Sequence, residues 1–174
     1  VIYQNAKTNS HEISIAQNLE VLNIKNNIIF TTPTRRTINL AVAQTGTVSI
    51  NNNLQWRPDG NPNIIVAGAN KTWAQWQALG YDVNGVNADP LFTNASSNDF
   101  TLQGASPAIN AGANLSGSYQ AALLPGSVWT ASVLTGNQNL YGAGWEIGAY
   151  AYGSASPVSP VMGPAKSSGA ATIP

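Results

Sequence analysis

Few side chains in this chain could do chemistry, and those in its first third fall at matching points of a repeat. Lys7, His11 and Glu12 come first, Arg35 and Arg36 follow, and Arg57 and Asp59 come next. With successive repeats stacked, His11 stands over Arg36 and the whole set lines one edge. Such an edge suits an acidic sugar. Removing the proton beside a uronate carboxyl needs a base, for which His11 is the candidate, and a cation to neutralise the carboxylate, for which Arg35 or Arg36 would serve. Without chemistry, the same edge offers Lys7, His11, Arg35, Arg36, Arg57 and Asp59 as glycan contacts. Loops of a soluble repeat are polar in any case, and charges of mixed sign also keep an edge soluble. There is no Ser-His-Asp order, no second His and no cluster of three acids beside them. No catalytic role is therefore assigned, and His11, Arg35 and Arg36 stand only as candidates.

The repeat that positions these residues is written in asparagine. Ile24-Lys25-Asn26-Asn27-Ile28-Ile29-Phe30 matches Ile50-Asn51-Asn52-Asn53-Leu54-Gln55-Trp56 position for position, and Val1-Ile2-Tyr3 aligns with the ends of both. A period of about 26 residues marks a repeat architecture. Each period holds three short stretches with apolar residues two apart, as in Ile13-Ser14-Ile15, Ile38-Asn39-Leu40 and Ile64-Ile65-Val66. That spacing is the mark of a strand with one buried face. Three strands per coil and no room for a helix between them predict an all-β, parallel β-helix with coils about 4.8 Å apart. Asn26 is then expected over Asn52 and Asn27 over Asn53, at a corner whose positive φ asparagine tolerates. Stacked amides can satisfy one another there. Tyr3, Phe30 and Trp56 are expected to pile up as a ring ladder inside.

Composition removes several function classes. The chain has 174 residues, seven basic and seven acidic side chains, and no net charge. It lacks the concentrated basic face that nucleic acid needs. No apolar run is long enough to span a bilayer. There is no Cys, hence no disulfide or thiolate metal site.

After Val66 the period breaks. Thr72 as N-cap, Gln75 three residues on and Gly80 as the stop predict a short helix with Trp73, Trp76 and Leu79 near one face, packed on the coil. Then come Ala88-Asp89-Pro90-Leu91-Phe92, Asn98-Asp99-Phe100-Thr101-Leu102, Ser106-Pro107-Ala108-Ile109-Asn110-Ala111-Gly112 and Ile147-Gly148-Ala149-Tyr150-Ala151-Tyr152. In this order they resemble the closing segment of bacterial extracellular right-handed parallel β-helix proteins, the pectate-lyase-like group with choice-of-anchor modules. The resemblance covers residues 1 to 152 and implies a right-handed coil. It also implies a secreted or cell-surface protein in a group that holds polysaccharide lyases, epimerases and adhesins, so it names a fold better than an activity. Asn110 and Ala151 stand where the group commonly has Asp and Glu. Asp89 and Glu146 remain as candidates for a calcium ion, although Asp before Pro is most simply a turn former. No other cofactor is expected.

Residues 1-66 thus read as regular coils, 67-152 as a short helix and irregular closing segment, and 153-174 as an extended Pro, Ser and Ala-rich tail. Val1 falls inside a strand, so Val1, Ile2 and Tyr3 are expected at an open coil edge. Another copy or an upstream β-helix chain would cover it. The tail, with Pro157, Pro160 and Pro164, is a candidate for that contact. The sequence therefore points to a non-catalytic extracellular module with a structural or adhesive role in a surface or fibre assembly, with polysaccharide as a candidate contact. The rivals are the C-terminal part of a polysaccharide lyase or glycoside hydrolase, and a glycan-binding module using Trp129 or Trp145.

Overall fold

Strands form where the apolar residues alternate: β1 (Ile2–Tyr3), β2 (His11–Ile15), β3 (Val21–Lys25), β4 (Ile28–Phe30), β5 (Arg36–Leu40), β6 (Thr47–Asn51), β7 (Leu54–Trp56) and β8 (Ile64–Val66). The structure is a computed structural model and describes residues 1–5, 11–127 and 132–154. Lys7, Trp129, Pro157, Pro160 and Pro164 lie outside those residues. Each of the eight strands pairs in parallel with the strand one repeat away, which gives the orders β1-β4-β7, β2-β5-β8 and β3-β6. The register follows the repeat, with Ile2 opposite Ile29, Ile24 opposite Ile50, Ile28 opposite Leu54 and Phe30 opposite Trp56.

Two apolar cores result. Leu22, Ile24, Ile29, Ile38, Leu40, Ile50, Ile64 and Val66 meet in the first. Ile28 and Leu54 point the other way and join Phe92, Leu102, Ala108 and Ile147 in the second, with Tyr3, Phe30 and Trp56 packed against it. The aromatic residues therefore lie on the face of β1-β4-β7 that meets the closing segment, not among the residues of the first core. Tyr3 and Phe30 have ring centroids 4.9 Å apart, and Tyr3 also lies 5.3 Å from Phe100. Both faces of this sheet are buried, so alternation in its two- and three-residue strands could not say which face the repeat encloses.

The asparagine corner divides its labour. Asn26 and Asn52 take the positive φ, at 56° and 54°. Asn27 donates to Asn53 Oδ1 from its backbone N–H at 3.0 Å and from its side-chain amide at 3.2 Å, which is the stacked pair expected. Asn26 and Asn52 instead donate sideways, to the carbonyls of Ala113 at 2.8 Å and Ala111 at 3.1 Å, and Ala113 N–H returns a bond to Asn26 Oδ1 at 2.8 Å. They clamp the closing segment onto the repeat.

Beyond β8 the chain turns through Ala67 and Gly68, both at positive φ, into the antiparallel strand β9 (Ala69–Lys71). Helix α1 (Trp73–Ala78) follows, with the Thr72 and Gln75 capping box in place and Trp76 wholly buried. Trp73 is half-buried, and Leu79, the residue that caps the helix, is 50 % exposed. The closing segment adds two antiparallel pairs, β10 (Phe92–Asn94) with β11 (Asp99–Leu102) and β12 (Ala121–Leu123) with β13 (Thr135–Asn137). The fold is thus mostly β with one α-helix. Among the described residues no helix is long and apolar enough to cross a membrane.

One buried carboxylate ties these parts together. Asp82 Oδ1 accepts from Asn53 N–H at 3.1 Å and Asn53 Nδ2 at 2.8 Å, while Oδ2 accepts from Gln55 Nε2 at 2.7 Å and Trp76 Nε1 at 3.0 Å. Gln55 in turn accepts from the Thr37 hydroxyl at 2.6 Å. Gly85 makes room for this carboxylate, because a β-carbon there would stand 2.6 Å from Asp82 Cβ and 2.8 Å from the Asn53 carbonyl oxygen. Replacing Asp82 by Ala strands four donors in the interior and is expected to cost about 3–5 kcal/mol in urea unfolding. Asp82→Asn should cost less, about 1–3 kcal/mol, because its amide group turns one acceptor into a donor facing donors. Equal stability of all three proteins would refute the role given to Asp82.

Candidate functional site

The charged edge forms where β2, β5 and the loop after β7 come together. His11 pairs in register with Arg36. Both residues are half-buried, and both His11 Nε2 and Arg36 Nε are shut from solvent without a hydrogen-bond partner among the described residues. Burial first, and the Arg36 charge second, push the His11 imidazole below its ordinary pKa. His11 is therefore neutral at pH 7, the form a base requires, but its free nitrogen does not face solvent.

Arg57 has a different task from the one its sequence position suggests. Its guanidinium is buried, donates through Nε to Asp59 Oδ1 at 2.6 Å and through Nη2 to Asp59 Oδ2, and sends Nη1 to the Arg35 carbonyl at 3.1 Å. A forked pair of this kind is strong and geometrically fixed. The Asp59 carboxylate, held by Arg57, lies below its ordinary pKa. Asp59 also accepts from Asn61 N–H at 3.2 Å. Arg57 and Asp59 thus brace the loops of two adjacent repeats, and of the proposed glycan contacts they are the pair already committed to each other. The sequence signal was available: an Arg and an Asp two residues apart around Pro58, in a loop that must turn.

The two acids considered for calcium sit in unlike settings. Asp89 is exposed, and its Oδ1 accepts from Leu91 N–H at 2.9 Å, closing a turn in which Leu91 has φ 51°. Glu146 is 1 % exposed; among the described residues no side chain bonds its carboxylate, and its own N–H and that of Tyr152 are near enough only to favour the ionised form weakly. Among the described residues no group of three or more His, Asp or Glu side chains converges as a metal ligand set would. Burial raises the Glu146 pKa above its ordinary value. Asn110, which stands where the resembled group has Asp, is a structural acceptor: its Oδ1 takes Ala143 N–H at 2.9 Å and Gly144 N–H at 2.8 Å. Ala151 is 2 % exposed, so a longer acid there would have to displace its neighbours.

Sequence reasoning missed Asp82 altogether. Its signal is faint, since it sits three residues before Gly85, in a corner whose sequence no longer reads as asparagine repeats. Trp145, held out as an exposed sugar platform, is 3 % exposed and donates its indole N–H to Asn139 Oδ1 at 2.8 Å. Comparison of the chain with family models, with curated proteins and with solved structures gave no match.

Two titrations check these assignments. His11 is the lone histidine, so its imidazole signal can be followed by NMR. Its midpoint is expected below 6.5 and should rise in Arg36→Gln, whereas an unmoved midpoint removes the coupling. For Glu146, a folded pKa above the unfolded one means that the native state holds a proton the unfolded chain has released. Its contribution is full at low pH and is lost as pH rises from the ordinary value of 4.5 through the raised one. Glu146→Gln should therefore flatten that slope and leave the protein more stable than wild type at pH 7. A loss of stability at pH 7 would instead mean that the carboxylate is used.

Proposed function

We propose that this chain is a non-catalytic module of a right-handed parallel β-helix, secreted or displayed at a cell surface, with a structural or adhesive role in a larger assembly. The observation that carries the reading is an asymmetry between its two ends. At one end lie β1, β2 and β3, the outermost strands of the three parallel sheets. At the other end β8 is paired by β9, while α1 and the Asp82 carboxylate satisfy the last corner. A strand with an unpaired edge is a template for another strand. The half-buried Ile13 and Ile15 beside the first core add apolar surface at that end. The partner that fits is one more turn of the same architecture, from a second copy or from an upstream β-helix chain. The tail with Pro157, Pro160 and Pro164 is a further candidate to lie on it. A head-to-tail contact between copies would build rings or filaments.

The edge of Lys7, His11, Arg35 and Arg36 would then touch polysaccharide without cleaving it. The second reading, the C-terminal part of a polysaccharide lyase, rests on the neutral imidazole of His11 beside Arg36. Against it stand the enclosed Nε2 and the absence of a converging acid set among the described residues.

Sedimentation velocity across micromolar concentrations separates these readings. The assembly reading expects concentration-dependent association that Ile13→Lys, a charge placed at the open end, abolishes. A monomer throughout, with slowly exchanging edge amides on β1 to β3, contradicts it. Cleavage of an acidic polysaccharide that the His11→Ala, Arg36→Ala double variant loses would establish the lyase instead.

A further inference from the structure

The corner that holds Asp82 also carries the one Asn-Gly step in the chain, Asn84-Gly85. Asparagine before glycine is the pair most prone to lose its side-chain amide. With no β-carbon on the second residue, little hinders its nitrogen from reaching the asparagine Cγ. Asn84 is exposed, so its amide carbon stands open to that attack and to water.

The attacking nitrogen, by contrast, is held. Gly85 N–H donates to the Asp82 carbonyl at 2.8 Å, and the next residue, Val86, donates to the Asn53 carbonyl at 2.9 Å and accepts Gln55 N–H at 2.9 Å. On the other side, Asn84 N–H is pinned to Asn51 Oδ1 at 2.9 Å. Gly85 is also wedged, because a β-carbon on it would stand 2.6 Å from Asp82 Cβ and 2.8 Å from the Asn53 carbonyl oxygen. Asp82 in turn is fixed by its own N–H, 2.7 Å from the Ile50 carbonyl, and by the donors on its carboxylate. The nitrogen cannot swing onto Cγ until this corner opens.

We propose that Asn84 is a covalent modification site gated by the Asp82 closure, where deamidation by water records each opening of the capped end. In the opened corner, hydroxide takes the Gly85 N–H proton and the nitrogen bonds to Asn84 Cγ. The bond from Cγ to the side-chain nitrogen breaks, and ammonia leaves with a proton from water. One water then adds to either carbonyl of the ring, which leaves an aspartyl or an isoaspartyl residue at position 84. The isoaspartyl product puts an extra carbon into the main chain directly before Gly85, where there is no space for one. It therefore displaces Gly85 and Val86 from Asn53, or moves Asp82 off its donors, and the closure does not re-form. The site depends on the Asp82 corner alone and is independent of any association at the other end.

The full chain, incubated in mildly alkaline buffer beside the free peptide of residues 82–86, tests this by mass spectrometry and isoaspartyl detection. Conversion at position 84 should be at least about tenfold slower in the folded protein than in the peptide, since it waits on local opening. Asp82→Asn, and urea below the unfolding midpoint, should each raise the rate toward that of the peptide. Asn84→Gln, whose longer side chain does not close the same ring, should show no conversion there. The purified isoaspartyl form should unfold at lower urea and exchange its Leu54 and Gln55 amides faster than the unconverted protein. Conversion as fast in the folded protein as in the peptide would overturn the proposal, as would a slow rate that neither Asp82→Asn nor urea changes. An isoaspartyl form as stable and as protected as the unconverted protein would overturn it too.

Discussion

A stack of repeats must end, and where it ends the polar groups that each repeat satisfies in the next are left unpaired. Asn27 gives its N–H and its amide to Asn53, but Asn53 has no third asparagine above it. Asp82 takes that place and accepts Asn53 twice, Gln55 once and the indole of Trp76 once. Burial raises its pKa while each of these donors works in the opposite direction, toward the ionised form. A carboxylate suits the position because it is all acceptor when ionised, whereas an amide or hydroxyl would bring a donor of its own. The helix and the last repeat are held by the same two oxygens.

That closure gives the molecule a direction. From Asp82 the polar chain runs inward through Gln55 to Thr37 and through Asn53 to Asn27, and it fixes how the interior of the repeat is occupied. Around it, Asn26 and Asn52 hold the closing segment at Ala111 and Ala113, and Gly148 N–H reaches Asn26 O at 2.9 Å. The β1-β4-β7 sheet is thereby covered on both faces, one by the first core and one by Phe92, Leu102, Ala108 and Ile147. The end with β1, β2 and β3 has no counterpart of Asp82, β9 or α1 among the described residues.

The sequence carried the repeat because its causes are local and periodic. Alternating Ile, Leu and Val set the strands, Asn26 and Asn52 set the left-handed corner, and Thr72 with Gln75 set the helix start. It carried His11 over Arg36 for the same reason. What it could not show depends on groups distant in the chain. Tyr3, Phe30 and Trp56 looked enclosed because nothing in a three-residue strand says that a segment from residue 92 onward will cover its other side. Asn26 and Asn52 looked like a second amide ladder, since their partners at Ala113 and Ala111 lie 87 and 59 residues away. Arg57 looked free because a charge in a loop reads as solvated until its fork is seen on Asp59. Glu146 gave no hint of burial, being a lone acid beside Trp145 and Ile147.

Native-state hydrogen exchange of the isolated chain measures the central claim directly, because it reads stability amide by amide. If Asp82 closes one end and the other is open, protection should rise from β1 and β2 toward β7 and β8. The slowest amides should be those of Asn53, Leu54, Gln55 and Asp82. Protection that is uniform along the stack, or greatest at β1 and β2, would contradict the account.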